Sequence, residues 1–359
     1  MIRIFLIFVF LILVITSCQS KIPSKIENNF YQTQIEKEIV IEVPGRPRNP
    51  IFVDLDKDGQ KELVVISKSP WLYVFKQKEN NFILSKRYET YTHNTKILAL
   101  DIDQDEDIDL LPITEALIGP IFINDGKGNL LKKTIKIRTP KFGYDITAFN
   151  FNADKYPDLA AIGLLDEVIY VYINKQARNF KLVVLKPPPS KNYFGNQKGY
   201  HEIKAIDINH DGKDDVLITD YFGQRVLLAI KEDHSFKFEE IYSSDSTIAS
   251  SYLWEDLLVV AEEAKKRLVF LEKKNKFQIS EVITIKRAFP RKIISNGTYW
   301  AVFWVKPGGT LAQIYKKNSL LIEIEFVGRR CENGYLDKNI IWCSDVLNNE
   351  LAGKRYETQ

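Results

Sequence analysis

Residues 52–63, Phe52-Val-Asp-Leu-Asp-Lys-Asp-Gly-Gln-Lys-Glu-Leu63, decide the fold, because oxygen-bearing side chains alternate there with other residues. The same pattern returns three times, over residues 100–110, 149–159 and 206–216. A period of about 40 to 50 residues is typical of propeller blades or of helical solenoids. The first oxygen-bearing positions of the four stretches lie 47, 49 and 57 residues apart and are Asp54, Asp101, Asn150 and Asp207.

The residues between these stretches favour strands over helices. In the first repeat, short runs rich in β-branched and aromatic residues occupy 63–66, 71–75 and 82–85, with polar turns between them. Runs of this kind are typical of strands, and four short strands per repeat make one propeller blade. The strand pattern continues beyond Trp254 without the carboxylates. The sequence therefore predicts an all-β fold, a β-propeller of seven four-stranded blades, with six blades as the alternative.

The two ends of the chain are expected to share the last blade. Residues 335–356 supply most of a seventh blade, and the strand over 38–43 would complete it. Joining both ends in one sheet leaves no open strand edge, which protects a propeller from aggregation.

The acidic stretches have the chemistry of a calcium site. Carboxylates that converge repel one another unless some are protonated or a cation lies between them. A set of oxygen ligands alone favours Ca²⁺, which accepts about six or seven irregularly placed oxygens. Side chains at positions 1, 3, 5 and 9 and the carbonyl at position 7 are the predicted ligands: Asp54, Asp56, Asp58, Gln60 and Glu62 in loop one; Asp101, Asp103, Asp105, Asp107 and Asp109 in loop two; Asn150, Asn152, Asp154, Tyr156 and Asp158 in loop three; Asp207, Asn209, Asp211, Lys213 and Asp215 in loop four.

The four loops differ in charge and in turn chemistry. Loops one, two and four are expected to hold calcium, whereas loop three has two formal charges beside Lys155 and is the weak fourth site. Glu106 stands at position 6 of loop two, where Gly59 and Gly212 stand in loops one and four, so strain is expected there. Solvated acidic turns without metal are the alternative. An EF-hand is excluded because its bidentate Glu at position 12 is absent: these positions hold Val65, Pro112, Ala161 and Ile218.

The loops resemble the calcium loops of FG-GAP/VCBS-type repeats, which build the propellers of integrin α-subunits and of many bacterial surface proteins. The resemblance is clearest over 50–245 and rests on the period alone beyond that. It implies that each loop joins the first and second strands of blades 1 to 4, and that calcium stiffens the lower face. It also implies that loops between consecutive blades emerge on the opposite, upper face.

The N-terminus predicts export and a lipid anchor. Residues 4–15 form an unbroken apolar run after Arg3, which is typical of a signal peptide and short for a bilayer span. Residues 15–18, Ile-Thr-Ser-Cys, resemble the lipobox of bacterial lipoproteins. We therefore expect a signal peptide over 1–17, a lipidated Cys18 with a flexible tether over 18–35, and the propeller over 36–359. A plain secretory signal with a chance cysteine is the alternative.

The two remaining cysteines are expected to pair. Cys331 and Cys343 lie twelve residues apart, in a protein predicted to be exported to a compartment where disulfides persist. A disulfide closing this C-terminal hairpin is the preferred interpretation, and two buried free thiols are the alternative.

Ligand recognition is expected on the upper face, because exposed loops on a rigid scaffold commonly carry it and aromatic and Arg side chains are common anchors. The longest such loop runs over 187–201. Packing of its aromatic residues against a neighbouring blade is the alternative. The candidate ligand-binding residues are Arg48, His93, Tyr144, Tyr193, Phe194, Tyr200 and His201.

These features favour a binding module over an enzyme. The net charge is +3 and the basic residues are spread along the chain, so nothing predicts nucleic-acid binding. The leading hypothesis is a monomeric, membrane-anchored adhesion or interaction module of the cell envelope, at the outer membrane, with a protein or glycan partner. A periplasmic outer-membrane assembly scaffold is the first alternative. A propeller enzyme is the second, and it requires a polar central pocket where His93 and His201 meet.

Overall fold

The computed structural model describes residues 38–357 apart from positions 80, 92, 116, 119, 135–136, 139–141, 153, 177–178, 192, 194, 196, 233–234 and 338. The predicted signal peptide, Cys18 and the tether lie outside the described residues. Within the described part no helix is long and apolar enough to cross a membrane.

The described chain is built from β-strands alone. In chain order they are β1 (Ile39–Glu42), β2 (Pro47–Val53), β3 (Glu62–Ser67), β4 (Trp71–Lys78), β5 (Asn81–Glu89), β6 (Asn94–Leu100), β7 (Asp109–Thr114), β8 (Leu117–Ile118), β9 (Ile121–Asn124), β10 (Leu130–Lys133), β11 (Ile137–Arg138), β12 (Gly143–Phe149), β13 (Asp158–Gly163), β14 (Ile169–Lys175), β15 (Asn179–Leu185), β16 (Glu202–Ile206), β17 (Asp215–Asp220), β18 (Arg225–Lys231), β19 (Phe236–Ser243), β20 (Ile248–Trp254), β21 (Leu257–Glu262), β22 (Arg267–Lys273), β23 (Phe277–Thr284), β24 (Phe289–Ser295), β25 (Trp300–Lys306), β26 (Gly309–Lys316), β27 (Ser319–Val327), β28 (Cys331–Leu336), β29 (Ile340–Asp345) and β30 (Glu350–Arg355).

These strands form seven antiparallel sheets, and each sheet is one blade. Within a blade, the first to fourth strands lie side by side from the centre of the ring outwards. Blade 1 is β2-β3-β4-β5, blade 3 is β12 to β15, blade 4 is β16 to β19, blade 5 is β20 to β23 and blade 6 is β24 to β27. Blade 2 is β6-β7-β9-β10; the short strand β8 also pairs with β7, and β11 pairs with β8. The prediction of an all-β propeller with seven four-stranded blades is confirmed.

The blades are arranged in a ring with their first strands at the centre. First strands of neighbouring blades contact one another, as β2 does with β6 and with β28, and β12 with β6 and β16. The second strands β3, β7, β13, β17 and β21 are buried along their whole length, whereas the outermost strand β5 is mostly exposed. Apolar runs therefore occur where a strand is covered on both faces by its neighbours.

Blade 7 joins the two ends of the described chain. Its order is β28-β29-β30-β1, and β1 pairs antiparallel with β30 from Ile39 opposite Gly353 to Glu42 opposite Glu350. The expected closure by the early strand is thus present. Cys331 and Cys343 form a disulfide that links β28 to β29, and both are buried in the core between blades 6 and 7.

Asparagine side chains join neighbouring blades near the acidic loops. Asn124, at the end of β9 in blade 2, donates from Nδ2 to the carbonyl of Leu55 in blade 1 at 2.7 Å. Asn174, in β14 of blade 3, donates in the same way to the carbonyl of Ile102 in blade 2 at 2.9 Å. Leu55 and Ile102 are themselves buried against the following blade. The asparagine hydrogen bond and the side chain at position 2 therefore add a polar and an apolar contact to the core that each of these blade pairs shares.

The blade contact predicts the effect of replacing Asn174 by alanine. The substitution leaves the buried carbonyl of Ile102 without this donor, which should lower the free energy of unfolding by about 1 to 3 kcal/mol. Urea denaturation would measure it. The same change at the exposed Asn179 should lie within about 0.5 kcal/mol of the wild type. Equal effects at both positions would contradict a role for Asn174 in blade coupling.

Candidate functional site

The four acidic stretches occupy equivalent places in blades 1 to 4. They connect β2 to β3, β6 to β7, β12 to β13 and β16 to β17, as the sequence predicted. Each begins at the C-terminal end of an innermost strand, so all four lie on one face of the ring, which is the lower face.

A buried carboxylate at position 9 holds each loop in shape. Glu62, Asp109, Asp158 and Asp215 are at most 3% exposed. Each accepts a hydrogen bond from the amide at position 2 of its own loop, at 2.8 Å, 3.1 Å, 2.8 Å and 3.2 Å respectively. The three aspartates also accept the amide of a third-strand residue, at 2.6 to 2.8 Å; the donors are Asn124, Asn174 and Lys231.

Burial raises the pKa of all four position-9 carboxyls, and that of Asp109 rises to about 6. These groups therefore favour a proton or a cation in place of a bare negative charge.

Loops one and two bring three carboxylates together. Ligand atoms of Asp54, Asp56 and Asp58 lie within 4.8 Å of one another, and so do those of Asp101, Asp103 and Asp109. Among the described residues, these two groups of three acids are the ones whose ligand atoms all lie within 4.8 Å of one another. Asp54 Oδ1, Asp56 Oδ1 and Asp103 Oδ1 are buried oxygens without a hydrogen-bond partner in the described chain. A set of converging oxygens with unused lone pairs suits a hard cation such as Ca²⁺.

Loop one has a countercharge that the sequence pattern did not reveal. The Lys76 ammonium, from β4, contacts Asp56 and lies 3.6 Å from Glu62. Its hydrogen bond lowers the pKa of Asp56. In loop two, burial raises the pKa of Asp103. Loop two also has a cation beside it, but Lys57 pairs there with Asp107, at 2.5 Å, which is outside the group of three acids. The group of three in loop one is therefore contacted directly by a lysine, and for the group in loop two no such ion pair is seen among the described residues.

Loops three and four are arranged differently from loops one and two. The Asn152 amide donates to Asp154 Oδ2 at 2.7 Å, and the Asn209 amide donates to Asp211 Oδ2 at 3.1 Å. An amide in this orientation satisfies the carboxylate that calcium would bind. Loop four therefore differs from loops one and two, because its second ligand position is an amide and its acids are not among the groups of three that the described residues form within 4.8 Å. Calcium binding by loop four stays a prediction.

The backbone follows the predicted turn in three loops. The residue at position 6 has a positive φ in loops one, two and four: 86° at Gly59, 72° at Glu106 and 78° at Gly212. Glu106 thus adopts the left-handed conformation that favours glycine, as expected from the sequence. The amides at position 7 all donate to the carboxylate at position 5, at 2.7 to 3.0 Å; the donors are Gln60, Asp107, Tyr156 and Lys213.

The opposite face holds a central cavity of about 530 Å³. Its walls come from all seven blades, mainly from the N-terminal parts of the innermost strands, so it lies toward the upper face. Each blade contributes at least one lining residue; in the order of blades 1 to 7, examples are Arg48, Lys96, Tyr144, His201, Ala249, Lys292 and Asn333.

Ion pairs cover much of the cavity wall. Glu202 is 1% exposed, contacts Lys292, and lies 3.3 Å from Lys204. Although burial acts to raise it, these two lysines hold the pKa of Glu202 far below its usual range. Ser250 Oγ and the Ser251 amide also donate to this carboxylate, at 2.8 Å and 3.1 Å. The pairs Lys96–Asp145, at 2.5 Å, and Arg291–Glu263 lie elsewhere on the wall.

A row of rings forms another part of the wall. The His201 ring lies between Tyr144, at 4.5 Å between centroids, and Tyr221, at 5.3 Å. Phe222 continues the row beyond Tyr221, at 5.1 Å. Burial lowers the pKa of His201 to about 4, so the imidazole is neutral at pH 7. The cavity therefore offers flat apolar surfaces beside fixed charges.

Three of the predicted ligand-binding residues, Arg48, Tyr144 and His201, line this cavity. His93 does not: its side chain is 62% exposed and pairs with Glu115 at 3.3 Å. The meeting of His93 and His201 that an enzyme would require is therefore not formed, because His93 is held at the β5–β6 connection by Glu115.

The long loop over 187–201 is fastened to blades 3 and 4. The buried Arg225 donates to the carbonyl of Pro188 at 2.8 Å and pairs with Asp220 at 2.9 Å. Tyr193 contacts Glu167 through its hydroxyl. Tyr200 is fully buried in the core between blades 3 and 4, which is the alternative of packing against a neighbouring blade. Phe194 lies outside the described residues.

Sequence reasoning missed the charged groups of the cavity. Lys96, Lys204 and Lys292 lie within innermost strands whose other residues are largely apolar. Lysines at such places could have indicated a polar channel. Tyr221 was not recognised because it lies in the turn between β17 and β18.

A ring of seven four-stranded blades, with acidic first-to-second loops below and a polar cavity above, defines a seven-bladed β-propeller. Residues 150–218, which include loops three and four, match a family model described as an FG-GAP-like repeat. These residues therefore match the repeat type that the acidic loops resemble. No match was found among curated protein sequences.

Solved structures share this architecture at low sequence identity. Virginiamycin B lyase from Staphylococcus aureus is 13% identical with a TM-score of 0.63, over 89% of this chain and 99% of that one. BBS1N, crystallised in complex with ARL6DN, is 10% identical with a TM-score of 0.63, over 89% and 93%. Raptor from Chaetomium thermophilum is 9% identical with a TM-score of 0.64, over 91% of this chain and 30% of that one. At these identities the likeness shows the fold alone.

The half-buried His201 in the cavity wall predicts an acid-sensitive stability. The pKa of His201 is about 4 in the folded chain, below the value of about 6.5 in an unfolded one, so between these values only the unfolded chain takes up the proton. The stability that neutral His201 contributes is present above pH 6.5 and is lost as the pH falls towards 4. When the pH falls from 7 to 4.5, the free energy of unfolding should drop by about 2 to 3 kcal/mol more in the wild type than in His201→Phe. The phenylalanine of this variant keeps a ring between the two tyrosines.

Urea denaturation of both proteins at both pH values would measure this difference. Other acidic groups titrate in both proteins and cancel. An equal loss of stability in wild type and variant would show that His201 is not held neutral by burial.

Proposed function

We propose that this chain is an exported, lipid-anchored interaction module, acting as a monomer, which binds calcium below and a protein or glycan partner above. The observation that supports a partner site is the cavity at the centre of the upper face. Residues from seven blades converge on it, and its walls combine stacked rings with charged groups. Recognition sites on rigid scaffolds are commonly concave and mix apolar walls with a few polar groups.

The calcium part of the proposal is supported by the donor sets of loops one and two. Asp54, Asp56 and Asp58 would hold the ion in the first loop, and Asp101, Asp103 and Asp109 in the second. The ion would supply positive charge to converging carboxylates. Its role is structural in this proposal, because these loops join strands that other blades pack against. Loops three and four are proposed as weaker sites.

The lipid anchor and the location in the cell envelope are supported by the sequence at residues 15–18. A cysteine carrying two acyl chains would hold the chain on a membrane stably. The outer membrane is the proposed location.

Calcium should stabilise the protein through loop two in particular. Extracellular modules hold calcium with dissociation constants of roughly 0.1 to 1 mM. Saturating a site at 10 to 100 times its dissociation constant adds about 1.4 to 2.7 kcal/mol to the free energy of unfolding. Thermal unfolding with calcium and with chelator would show a higher Tm in calcium. Asp103→Asn should remove a large part of that difference.

Asp256→Asn is the matched control, because Asp256 is an exposed residue at the equivalent turn of blade 5, where the acidic pattern is missing. It should keep the full response to calcium. A wild-type Tm that chelator leaves unchanged would refute calcium binding, whereas a response that survives in the Asp103 variant would exclude loop two as the site.

The partner site is tested by photocrosslinking in cells. A photoreactive side chain in place of Phe222, beside the cavity, should give a covalent adduct with the partner. The same replacement at the exposed Lys127, in the β9–β10 turn on the lower face, should give none. Adducts of equal yield from both positions, or from neither, would contradict a partner site on the upper face.

Protease treatment of the intact cells then separates the adhesion module from the periplasmic scaffold. Degradation of the Phe222 adduct indicates the cell surface and supports the adhesion module. Protection of the adduct until the outer membrane is opened favours the assembly scaffold.

A further inference from the structure

The cavity wall carries more positive than negative charge. Its lining includes five cationic side chains, Arg48, Lys96, Lys204, Arg291 and Lys292, and three acidic ones, Asp145, Glu263 and Glu332. A fourth acid, Glu202, contacts both Lys204 and Lys292, and its single negative charge balances one of these two lysines. Since His201 is neutral at pH 7, five cations face four acids, which leaves a formal excess of one positive charge. A ligand with a single negative charge would balance it.

Arg48 is the cation with the loosest pairing. Its ion pair with Glu332 is 3.6 Å long, which exceeds the length of a hydrogen bond. Its Nε atom is buried and has no hydrogen-bond partner in the described chain. Glu332 also pairs with Arg330 at 3.2 Å, so that carboxylate does not depend on Arg48 alone. The guanidinium therefore has donors to spare for a ligand.

The Tyr144 side chain joins this cation to the row of rings. Tyr144, Arg48 and Lys292 all line the cavity. Burial raises the pKa of the Tyr144 hydroxyl, and the positive charges of Lys292 and Arg48 act to lower it. The ring of Tyr144 packs on His201, and His201 packs on Tyr221. Hydrogen-bond donors and flat ring faces thus lie side by side. The volume of about 530 Å³ is within the range of about 300 to 1,000 Å³ that holds small ligands.

We propose that the central cavity binds a small ring-shaped carboxylate. Arg48, Lys292 and the Tyr144 hydroxyl contact its acid group, and the rings of His201 and Tyr221 pack against its ring. Arginine matches a carboxylate through paired N–H donors, which gives direction as well as charge. An aromatic acid and a sugar acid share this chemistry. The proposal rests on the partner site proposed above and names the class of ligand that enters it.

Calorimetric titration of the full chain, purified in detergent with calcium, tests the proposal. The probes are 2-naphthoate and glucuronate, each with an uncharged counterpart of similar shape, 2-naphthamide and methyl glucoside. At least one acid should bind with a Kd about tenfold or more below that of its counterpart, as expected for charged hydrogen bonds. Binding of 2-naphthoate alone identifies an aromatic acid, and binding of glucuronate alone identifies a sugar acid.

Variants test the residues that the proposal names. Arg48→Gln should raise the Kd of the acid about tenfold. Arg46→Gln is the matched control, because Arg46 is exposed and outside the cavity, and it should leave the Kd unchanged. Tyr144→Phe removes only the hydroxyl and should weaken the acid several-fold, which keeps the test available if Arg48→Gln unfolds.

The proposal is overturned if the acids bind no better than their uncharged counterparts, if neither acid binds at millimolar concentration, or if the Arg48 and Tyr144 variants bind as the wild type does. These results leave the partner site itself open to its own test. If the acids fail to bind but the photoreactive side chain at position 222 still forms an adduct, the site has a partner that is not a ring-shaped acid.

Discussion

The structure of the lower face depends on a buried carboxylate that closes each acidic loop. Glu62, Asp109, Asp158 and Asp215 each turn a loop back on itself by accepting the amide at position 2. Three of them also tie that loop to the third strand of the same blade. Because these oxygens are buried, a substitution that removes one leaves amide donors without a partner, at a cost of about 1 to 3 kcal/mol each.

The loop then transmits this order to the next blade. The residue at position 2, whose amide the carboxylate holds, turns its side chain into the neighbouring core, as Leu55 and Ile102 do. Its carbonyl accepts the Asn124 or Asn174 amide of the following blade. In blade 4 the ammonium of Lys231 takes this place and lies 4.1 Å from the ring of Phe151, at position 2 of loop three. An acidic loop is therefore a connection between blades as well as a turn within one.

The sequence predicted the architecture well because periodic patterns reflect the blade itself. Carboxylates at alternate positions, followed by β-rich runs every 47 to 57 residues, predicted the blade limits and the closing strand over 38–43. The cavity was predicted only in part. Arg48, Tyr144 and His201 were recognised, but Tyr200 was assigned to a ligand although it is buried, and Lys292 was not identified. Whether a loop side chain is buried or exposed depends on contacts with residues far away in the sequence, such as the hydrogen bond from Arg225 to Pro188. A local sequence pattern does not reveal such contacts.

Blades 5 to 7 use a different means of holding neighbouring sheets together. Four of the five tryptophans of the chain, Trp254, Trp300, Trp304 and Trp342, lie in these blades, where acidic loops are missing from the sequence pattern. Trp300 stacks on Tyr315 at 4.2 Å between ring centroids, and both rings belong to the buried core that blades 5 and 6 share. The Cys331–Cys343 disulfide links β28 to β29 within blade 7, and both cysteines belong to the core that blades 6 and 7 share. Large buried rings contribute much apolar area and need no ion.

This division has a consequence for the cavity, whose walls come from both halves of the ring. In blades 1 to 4 an innermost strand begins at a cavity residue and ends at an acidic loop, as β12 does from Tyr144 to Asn150. A strand rises about 3.3 Å per residue, so these two points are about 20 Å apart, and the proposed cation in the loop would not act on a ligand in the cavity by charge. Its effect on the cavity would be mechanical: it would fix the loop, the loop contacts the neighbouring blade, and that blade positions its wall residues. Tyr144 and His201 would therefore depend on the lower face for their placement, whereas Lys292, in blade 6, is positioned by the packed core that blades 5 and 6 share and by its ion pair with Glu202.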